Sequence, residues 1–461
     1  MKKTKIVCTI GPASESEEMI SALIDAGMNV GRINLSHGSH EGHREKIDNI
    51  KKIREAMNKP VAILLDTKGP EVRLKDFAGG TAELIERQNF ALLCSSTEQG
   101  NEKGVGVSYE GLWKKVSPGN TILIDDGKIR MEVESVNNEE IISRVIKGGK
   151  LGNRKGVNVP GVNLDMEYLS EADRQDLMFG VKNDVDFVAA SFVGSAADVN
   201  VLRSFLDANG GDKIKIISKI ESVGGVDNFE EILDASDGIM VARGDMGVEI
   251  DYERLPGIQK RIIRRCCEVG KPVITATQML ESMIESLSPT RAEITDVANA
   301  IYDGTSAVML SGETTIGKHP VETVLTMSRI ITEAEKDPYL HLKEIDFACD
   351  GNDVAEAVGQ AACSAAKALA AKAILAVTRS GYTAERISKY RPAMPVVAAT
   401  PNSKTFYQQA LTRGVEPVLC EDPVKGLKDT GIVHSGDRIV ICSNTKVQAE
   451  GNTNFMMVET I

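Results

Sequence analysis

Nowhere in the sequence do about eighteen apolar residues run together, so nothing in it reads as a membrane span. Positive charge is in deficit: 54 Lys and Arg stand against 66 Asp and Glu, a formal net charge of −12. That balance argues against nonspecific binding to nucleic acid or to an anionic membrane. It leaves room for anionic small substrates, because a pocket needs only a few local cations. The eight cysteines (Cys8, Cys94, Cys266, Cys267, Cys349, Cys363, Cys420 and Cys442) form no C-x-x-C pair and no metal-ligand spacing. They fit a reduced, cytoplasmic enzyme with small buried thiols. The opening "MKKTKIVCTIGP" has no long apolar core and no small-residue cleavage site, so it does not read as a signal peptide. Low-complexity segments and short-period repeats are lacking too. What is there is a 42% hydrophobic chain of 461 residues, enough to bury ordinary cores in about three domains.

Eight apolar runs recur, each ending in a polar cluster: "KIVCTIG", "NVGRINLS", "VAILLDTKG", "DFVAASF", "KIISKIES", "GIMVARGD", "PVITATQ" and "AVMLSGE". Such runs are what strands covered on both faces look like. Helical patterns separate most of them, which predicts a (β/α)8 barrel with its active site at the C-terminal ends of the strands. Between "LLDTKGPEVR" and "KGVNVPG" the pattern becomes short alternating strands between Gly, Asn and Pro turns. The expected architecture is therefore α/β: a (β/α)8 TIM barrel from residues 1–69 and 161–335, an inserted small all-β barrel as a lid over 70–160, and an α/β domain over 336–461. In the last, "VAEAVGQAACSAAKALAAK" reads as a closely packed helix and five apolar runs read as strands. "PTRAEITDV" carries a capping box at Thr290 and Glu293.

Chemistry-capable residues cluster at the strand ends. In "MNVGRINLSHGS", Arg32, Asn34 and Ser36 alternate with Ile33 and Leu35, so they share one side of a strand. The third strand ends in Asp66 and Thr67. One charge with several neutral oxygens suits a weakly charged, oxygen-bound cation better than zinc. "SKIES" puts Lys219 and Glu221 on one face, and "ARGDMG" puts Asp245 beside Gly244. Two carboxylates from neighbouring strand ends suit Mg2+, and a cation beside them suits a developing anion. Thr277 and Gln278 lie at the seventh strand end. Arg73 and Lys155 lie at the two hinges of the insert, where a β domain could close over the mouth and exclude water.

These segments, with "KIVCTIGPASES", "ILLDTKGPEVR", "VITATQMLESMI", "PTRAEITDVANAIYDGTSAVMLSGET" and "TRSGYTA", closely resemble the pyruvate kinase family. The match runs from residue 3 to the last strand and is densest in the barrel. It implies a glycolytic phosphotransferase moving the phosphoryl group of phosphoenolpyruvate to ADP, giving pyruvate and ATP, in a cytoplasmic homotetramer that needs Mg2+ and K+. By position it implies that Arg32 and Lys219 contact the phosphoryl group, with Lys219 stabilising the transition state. Gly244, Asp245 and Thr277 touch substrate. Glu221 and Asp245 bind Mg2+; Asn34, Ser36, Asp66 and Thr67 bind K+. Asn34, His37, Arg73 and Lys155 serve the nucleotide. Thr277 relays a proton through water, with Ser311 and Glu313 as candidates for the rest of the relay. Glu71 stands where K+-independent members carry Lys.

The resemblance also implies an effector loop at Thr378, Arg379, Ser380, Gly381 and Thr383, where a helix N-terminus with hydroxyls suits a phosphate. The ligand is a phosphorylated sugar or nucleotide: fructose 1,6-bisphosphate, a sugar monophosphate or AMP. Trp113, the one tryptophan, lies in the insert, and the distal loop offers Lys446 alone. Three positions depart from the family: Gly194 for a usual Arg, Ser306 for Asp and Leu35 for Phe. From the residues alone, two other readings stand: a Mg2+-dependent lyase with Lys219 as a Schiff-base amine, and a non-catalytic metabolite sensor.

Overall fold

The structure, a computed structural model, describes residues 2–162, 164–337, 353–444 and 453–461. Among these residues, eight parallel strands close a barrel: Lys5–Thr9, Val30–Asn34, Ala62–Asp66, Phe187–Ala190, Lys215–Ile220, Gly238–Ala242, Val273–Ala276 and Ala307–Leu310. They are the eight expected runs, in sequence order around the barrel. The reason for the continuous apolar runs is visible in the packing. One alternate set, including Ile6, Ile33, Leu65 and Val188, meets the surrounding helices. The other set, including Val7, Val30, Leu64, Phe187, Ile217, Met240, Ile274 and Met309, fills the interior. The helices are set by local signals. Ser170 and Asp173 form a capping box that opens the helix Glu171–Lys182, and Thr290 and Glu293 form the expected one before Arg291–Asp303.

Between the third and fourth barrel strands, the insert runs from the strand Val72–Arg73 to the strand Gly156–Asn158. Among the described residues it forms a seven-stranded mixed sheet and a separate two-stranded ribbon, Thr81–Leu84 with Gly149–Gly152. This is looser than the small closed barrel expected from sequence. The two edge strands do approach each other, through a bridge between Leu74 and Val107 and the hydrogen bond from Lys75 N–H to Gly106 C=O at 2.7 Å. The alternating segments "FALLCSS", "TILIDDG", "IRMEVESV" and "EIISRVIKGG" read as strands and form the strands Asn89–Leu93, Thr121–Ile124, Ile129–Asn137 and Glu140–Lys147; the very short ones, such as Gly104–Gly106, carry too little pattern to read.

The C-terminal sheet orders its strands as Val415–Leu419, Val396–Thr400, Ala373–Val377, Arg438–Ser443 and Phe455–Thr460, the last antiparallel. The helix Val354–Ala368 buries Gly359, Ala362 and Ala366, the small-residue face that its sequence predicts. Lys446 lies outside the described residues.

The barrel floor is not made by the barrel alone. Ala410 and Leu411, from a single 3-10 turn of the C-terminal domain, pack in the same cluster as the barrel interior. Polar contacts surround this plug. Gln408 Nε2 donates to the carbonyls of Asp186 (3.1 Å) and Lys213 (2.7 Å), and the buried Lys5 ammonium donates to Val415 C=O (2.7 Å). Leu411→Ala should therefore lose about 2–5 kcal/mol of stability, the range for an unfilled core cavity, measured by urea unfolding of parent and variant. A loss below about 0.5 kcal/mol, the range of an ordinary surface position, would show the contact to be peripheral.

Candidate active site

Period-two alternation carries the interior of the barrel upward into a polar layer. Val7 is followed two residues later by Thr9, Val30 by Arg32, Leu64 by Asp66, Ala189 by Ser191, and Ile217 by Lys219 and then Glu221. The apolar interior thus ends in side chains that bond to each other. Asp66, 1% exposed, is the hub. Its Oδ2 accepts from Arg32 Nε at 2.6 Å, and its Oδ1 accepts from Lys219 Nζ at 3.1 Å and from Ser191 Oγ at 3.2 Å. Arg32 also donates to Thr9 Oγ1 (2.9 Å), and Lys219 to Ser191 Oγ (2.7 Å). Burial works against the Asp66 carboxylate, but the charges of Arg32 and Lys219 outweigh it and hold the group below its ordinary range.

Lys219 sits 2.9 Å from Glu221 Oε1. Burial opposes its charge, while Asp66 and Glu221 favour it more strongly, so the ammonium is held above its ordinary range. A Schiff-base role needs the neutral amine, so this environment speaks against the lyase alternative. Glu221 is fully buried. Its carboxyl is pushed up to about 7, first by burial and then by the charge of Asp245, against the pull of Lys219. Its Oε2 accepts from Phe192 N–H (2.6 Å), while Oε1 is buried with the Lys219 ammonium as its partner. No group of three or more His, Cys, Asp or Glu among the described residues could hold a metal. The carboxylates of Glu221 and Asp245, close enough for the Asp245 charge to be felt at Glu221, nevertheless fit Mg2+, which keeps waters and substrate oxygens as its other ligands.

Asn34 lies beside Asp66 in the strand register, and its Oδ1 accepts from Ser36 N–H (3.1 Å). Thr67 is buried at the same rim, and His37 is exposed on the loop beyond. Gly244 and Asp245 stand in the first turn of the short helix Arg243–Glu249. Thr277 Oγ1 accepts from Gly244 N–H (2.9 Å) and donates to Ala276 C=O (2.6 Å). Ser311 and Glu313 do not join that hydroxyl through these bonds. Glu313 instead accepts from the backbone N–H groups of Leu280 (3.1 Å) and Ser311 (2.7 Å), tying the seventh and eighth strand exits together.

The hinge residues hold partners of their own. Arg73 forks onto Glu71 Oε2 (2.6 and 3.0 Å), and Lys155 pairs with Asp125 (2.9 Å). The Asp245 charge is felt at Glu71, which is raised chiefly by burial. Asn158, at the end of the insert, donates to Glu249 Oε1 (2.9 Å) on the helix that carries Asp245. In the C-terminal domain, Arg379 and Ser380 are exposed and Gly381 takes φ +92° at the start of the helix Tyr382–Lys389. Thr378 Oγ1 accepts from Gly381 N–H (2.9 Å). The Thr383 hydroxyl is buried against that of Thr453 (2.7 Å), which takes it out of the exposed part of the loop.

The departures are accommodated. The Gly194 and Ser195 N–H groups both donate to Asp198 (2.9 Å each), Ser306 Oγ accepts from Val273 N–H (3.2 Å), and Leu35 is buried in the barrel–helix core.

Two participants escaped the sequence reading. Ser191 follows Ala189 by one strand period, a signal that was present. Arg243 carried none, because it reads as one cation beside a Gly–Asp pair. Its guanidinium donates to the carbonyls of Ala276 (3.1 Å) and Thr277, and to Asp296 (2.7 Å). It thereby holds a strained turn, in which Thr277 (φ +69°) and Gln278 (φ +53°) are both left-handed.

Fold and site together define an enzyme for small anionic substrates: a parallel barrel whose rim sets two cations among buried carboxylates, with a β domain inserted after its third strand. Residues 1–324 match the sequence model described as the pyruvate kinase barrel domain, and residues 356–459 that of the pyruvate kinase alpha/beta domain. A pyruvate kinase of Clostridium acetobutylicum is 45% identical over the full length of both chains. One from Sporosarcina psychrophila is 47% identical, covering all of this chain and 81% of that protein. The crystal structure of a pyruvate kinase from Cryptosporidium parvum superposes with a TM-score of 0.94 at 38% identity, over 100% of this chain and 96% of that one. The chain belongs to the pyruvate kinase family, the phosphotransferases that move the phosphoryl group of phosphoenolpyruvate to ADP and use Mg2+ and K+.

Arg243→Lys keeps the charge but loses the fork that grips two carbonyls. Turnover should fall about a hundredfold through misplacement of Thr277 and Gly244, with the far-UV circular dichroism of the parent. Unchanged turnover would show that the turn holds itself.

Proposed function

We propose that Lys219 is the group through which this chain stabilises the transferring phosphoryl group and the enolate left behind. The observation that carries this reading is the buried ammonium, held charged between Asp66 and Glu221. In the reaction, the bond between phosphorus and the enol oxygen breaks, and one to a terminal oxygen of ADP forms. Such a step asks the protein for position and charge rather than covalent chemistry. Arg32 and Lys219 supply the positive charge, and Gly244, Asp245 and Thr277 line the rest of the substrate. Glu221 and Asp245 would hold Mg2+, whose charge offsets that of the phosphate and enolate oxygens. Asn34, Ser36, Asp66 and Thr67 would hold K+, with Asp66 as the single formal charge among neutral oxygens. Thr277 passes a proton to the enolate carbon through water, since a threonine hydroxyl is a weak acid unaided.

Asn34, His37, Arg73 and Lys155 serve the nucleotide, the latter two after exchanging Glu71 and Asp125 for phosphate. The domain limits are 1–69 with 161–335, 70–160 and 336–461, supported by the first and last strands of the insert. No helix among the described residues is long and apolar enough to cross a membrane, and the free thiols of the seven described cysteines support a cytoplasmic setting. A homotetramer accounts for the exposed apolar side chains of Tyr252, Leu287 and Ile294 on the barrel and Phe455, Met457 and Val458 on the last strand.

The test is Lys219→Met, assayed as pyruvate formation from phosphoenolpyruvate and ADP with Mg2+ and K+. Turnover should drop by about a thousandfold or more, while phosphoenolpyruvate binding, followed by calorimetry, weakens far less. Survival of turnover within about tenfold would remove Lys219 from the role.

The loop Thr378–Gly381 would bind the phosphate of a sugar or nucleotide effector, supported by its exposed Arg379 and Ser380 and the helix N-terminus behind them, with Thr383 bracing that helix through its buried contact with Thr453. Fructose 1,6-bisphosphate, glucose 6-phosphate and AMP are titrated against phosphoenolpyruvate saturation curves. One of them should shift the parent's curve to lower concentration. Ser380→Glu should abolish the shift by repelling phosphate, leaving maximal rate unchanged. If none shifts the parent, the loop is a strand–helix turn and no more.

A further inference from the structure

The oxygens assigned to the monovalent cation come from the ends of the second and third barrel strands, Asn34 and Asp66, and from the two loops that follow them, Ser36 and Thr67. The strand ladder joins these loops only as far as the hydrogen bond from Leu35 N–H to Asp66 C=O (3.0 Å). Beyond it they part, and their far ends are both caught by one side chain outside the barrel. This is Asp176, 3% exposed, on the helix Glu171–Lys182. Its Oδ1 bonds His40 Nε2 at 2.5 Å, four residues after Ser36, and its Oδ2 pairs with Lys68 Nζ at 3.1 Å, the residue after Thr67.

The surroundings hold this arrangement stiffly. The His40 ring stacks on Phe179 of the same helix, with ring centres 4.6 Å apart and planes 15° from parallel. One turn earlier, Asp173 Oδ1 accepts from Gly69 N–H at 3.1 Å. Gly69 takes φ +70°, and a Cβ there would lie 2.7 Å from the Ser191 carbonyl. The third-strand loop is thus pressed between the helix on one side and Ser191, which bonds Lys219, on the other.

We propose that Asp176 is a positioning residue for the monovalent-cation site: a buried carboxylate behind the rim that clasps both loops and sets the separation of Asn34 and Ser36 from Asp66 and Thr67. The inference rests on the reading that these four residues hold K+. An oxygen cage reads ion size through the spacing and stiffness of its oxygens. Loss of the clasp therefore weakens K+ binding and narrows the preference for K+ over Na+.

Two variants separate a clasp from a simple charge effect. Asp176→Asn removes a negative charge and Lys68→Met a positive one, so electrostatics alone would weaken K+ binding in the first and tighten it in the second. A clasp predicts weakening in both. Two readouts are used, in tetramethylammonium buffer: the half-saturating K+ concentration for activity, and the K+-dependent rise in melting temperature without substrates. Both variants should raise the half-saturating K+ by about tenfold or more, the usual scale for residues that orient metal ligands. The KM for phosphoenolpyruvate at saturating K+ should move far less. A parent with no K+ response in either readout would overturn the reading of the site itself. A responding parent with unchanged variants, or tightening in Lys68→Met, would overturn the clasp. If Asp176→Asn fails to fold, Lys68→Met, at a partly exposed position, decides the matter alone.

Discussion

A single buried carboxylate, Asp66, lets two cations share the rim of an apolar barrel. Without it, Arg32 and Lys219 would face each other across a medium that screens charge poorly. With it, each has a partner within hydrogen-bond distance, and both remain charged in a place shielded from water. A buried charge is tolerated when it is paired and hydrogen-bonded. Here the pairing leaves positive charge directed at the mouth, where an anionic substrate completes the neutralisation. The same logic runs on along the fifth strand, where Glu221 takes the other side of Lys219 and itself meets the charge of Asp245. The site is a row of partial neutralisations, each awaiting a ligand of definite sign.

Much of this was legible because barrel strands obey two simple rules. They are covered on both faces, so they read as continuous apolar runs, and their side chains alternate, so a polar residue two beyond an interior one belongs to the rim. Arg32, Asp66, Lys219 and Glu221 follow from those rules without any knowledge of contacts. Ser191 follows as well. Roles such as that of Arg243 do not, because its partners are the carbonyls of Ala276 and Thr277 and the carboxylate of Asp296, and no local pattern announces a bond to a distant backbone. The same holds for Asp176. On its own helix it is one acid in an amphipathic stretch, and its meaning comes from two loops that the chain reaches 136 and 108 residues earlier.

The insert was legible as β structure and less so as a closed shape. Its longer strands, Asn89–Leu93, Ile129–Asn137 and Glu140–Lys147, alternate clearly. Curling of the sheet depends on which edges meet, and the Leu74–Val107 contact lies between residues with no shared local signal. Asn158, bonded to Glu249, gives the insert a direct hold on the short helix that carries Gly244 and Asp245. The placement of the insert and that of the helix are therefore coupled through this bond.

The plug of Ala410 and Leu411 has a consequence for how the molecule comes into being. The eighth barrel strand ends at Leu310, but the side chains that seal the floor lie about a hundred residues further along, and domains generally form in the order of synthesis. A nascent chain holding all eight strands still lacks the two side chains that complete the interior cluster. Until Ala410 and Leu411 emerge, the catalytic barrel is a vessel without a base, although all of its own strands have already been made.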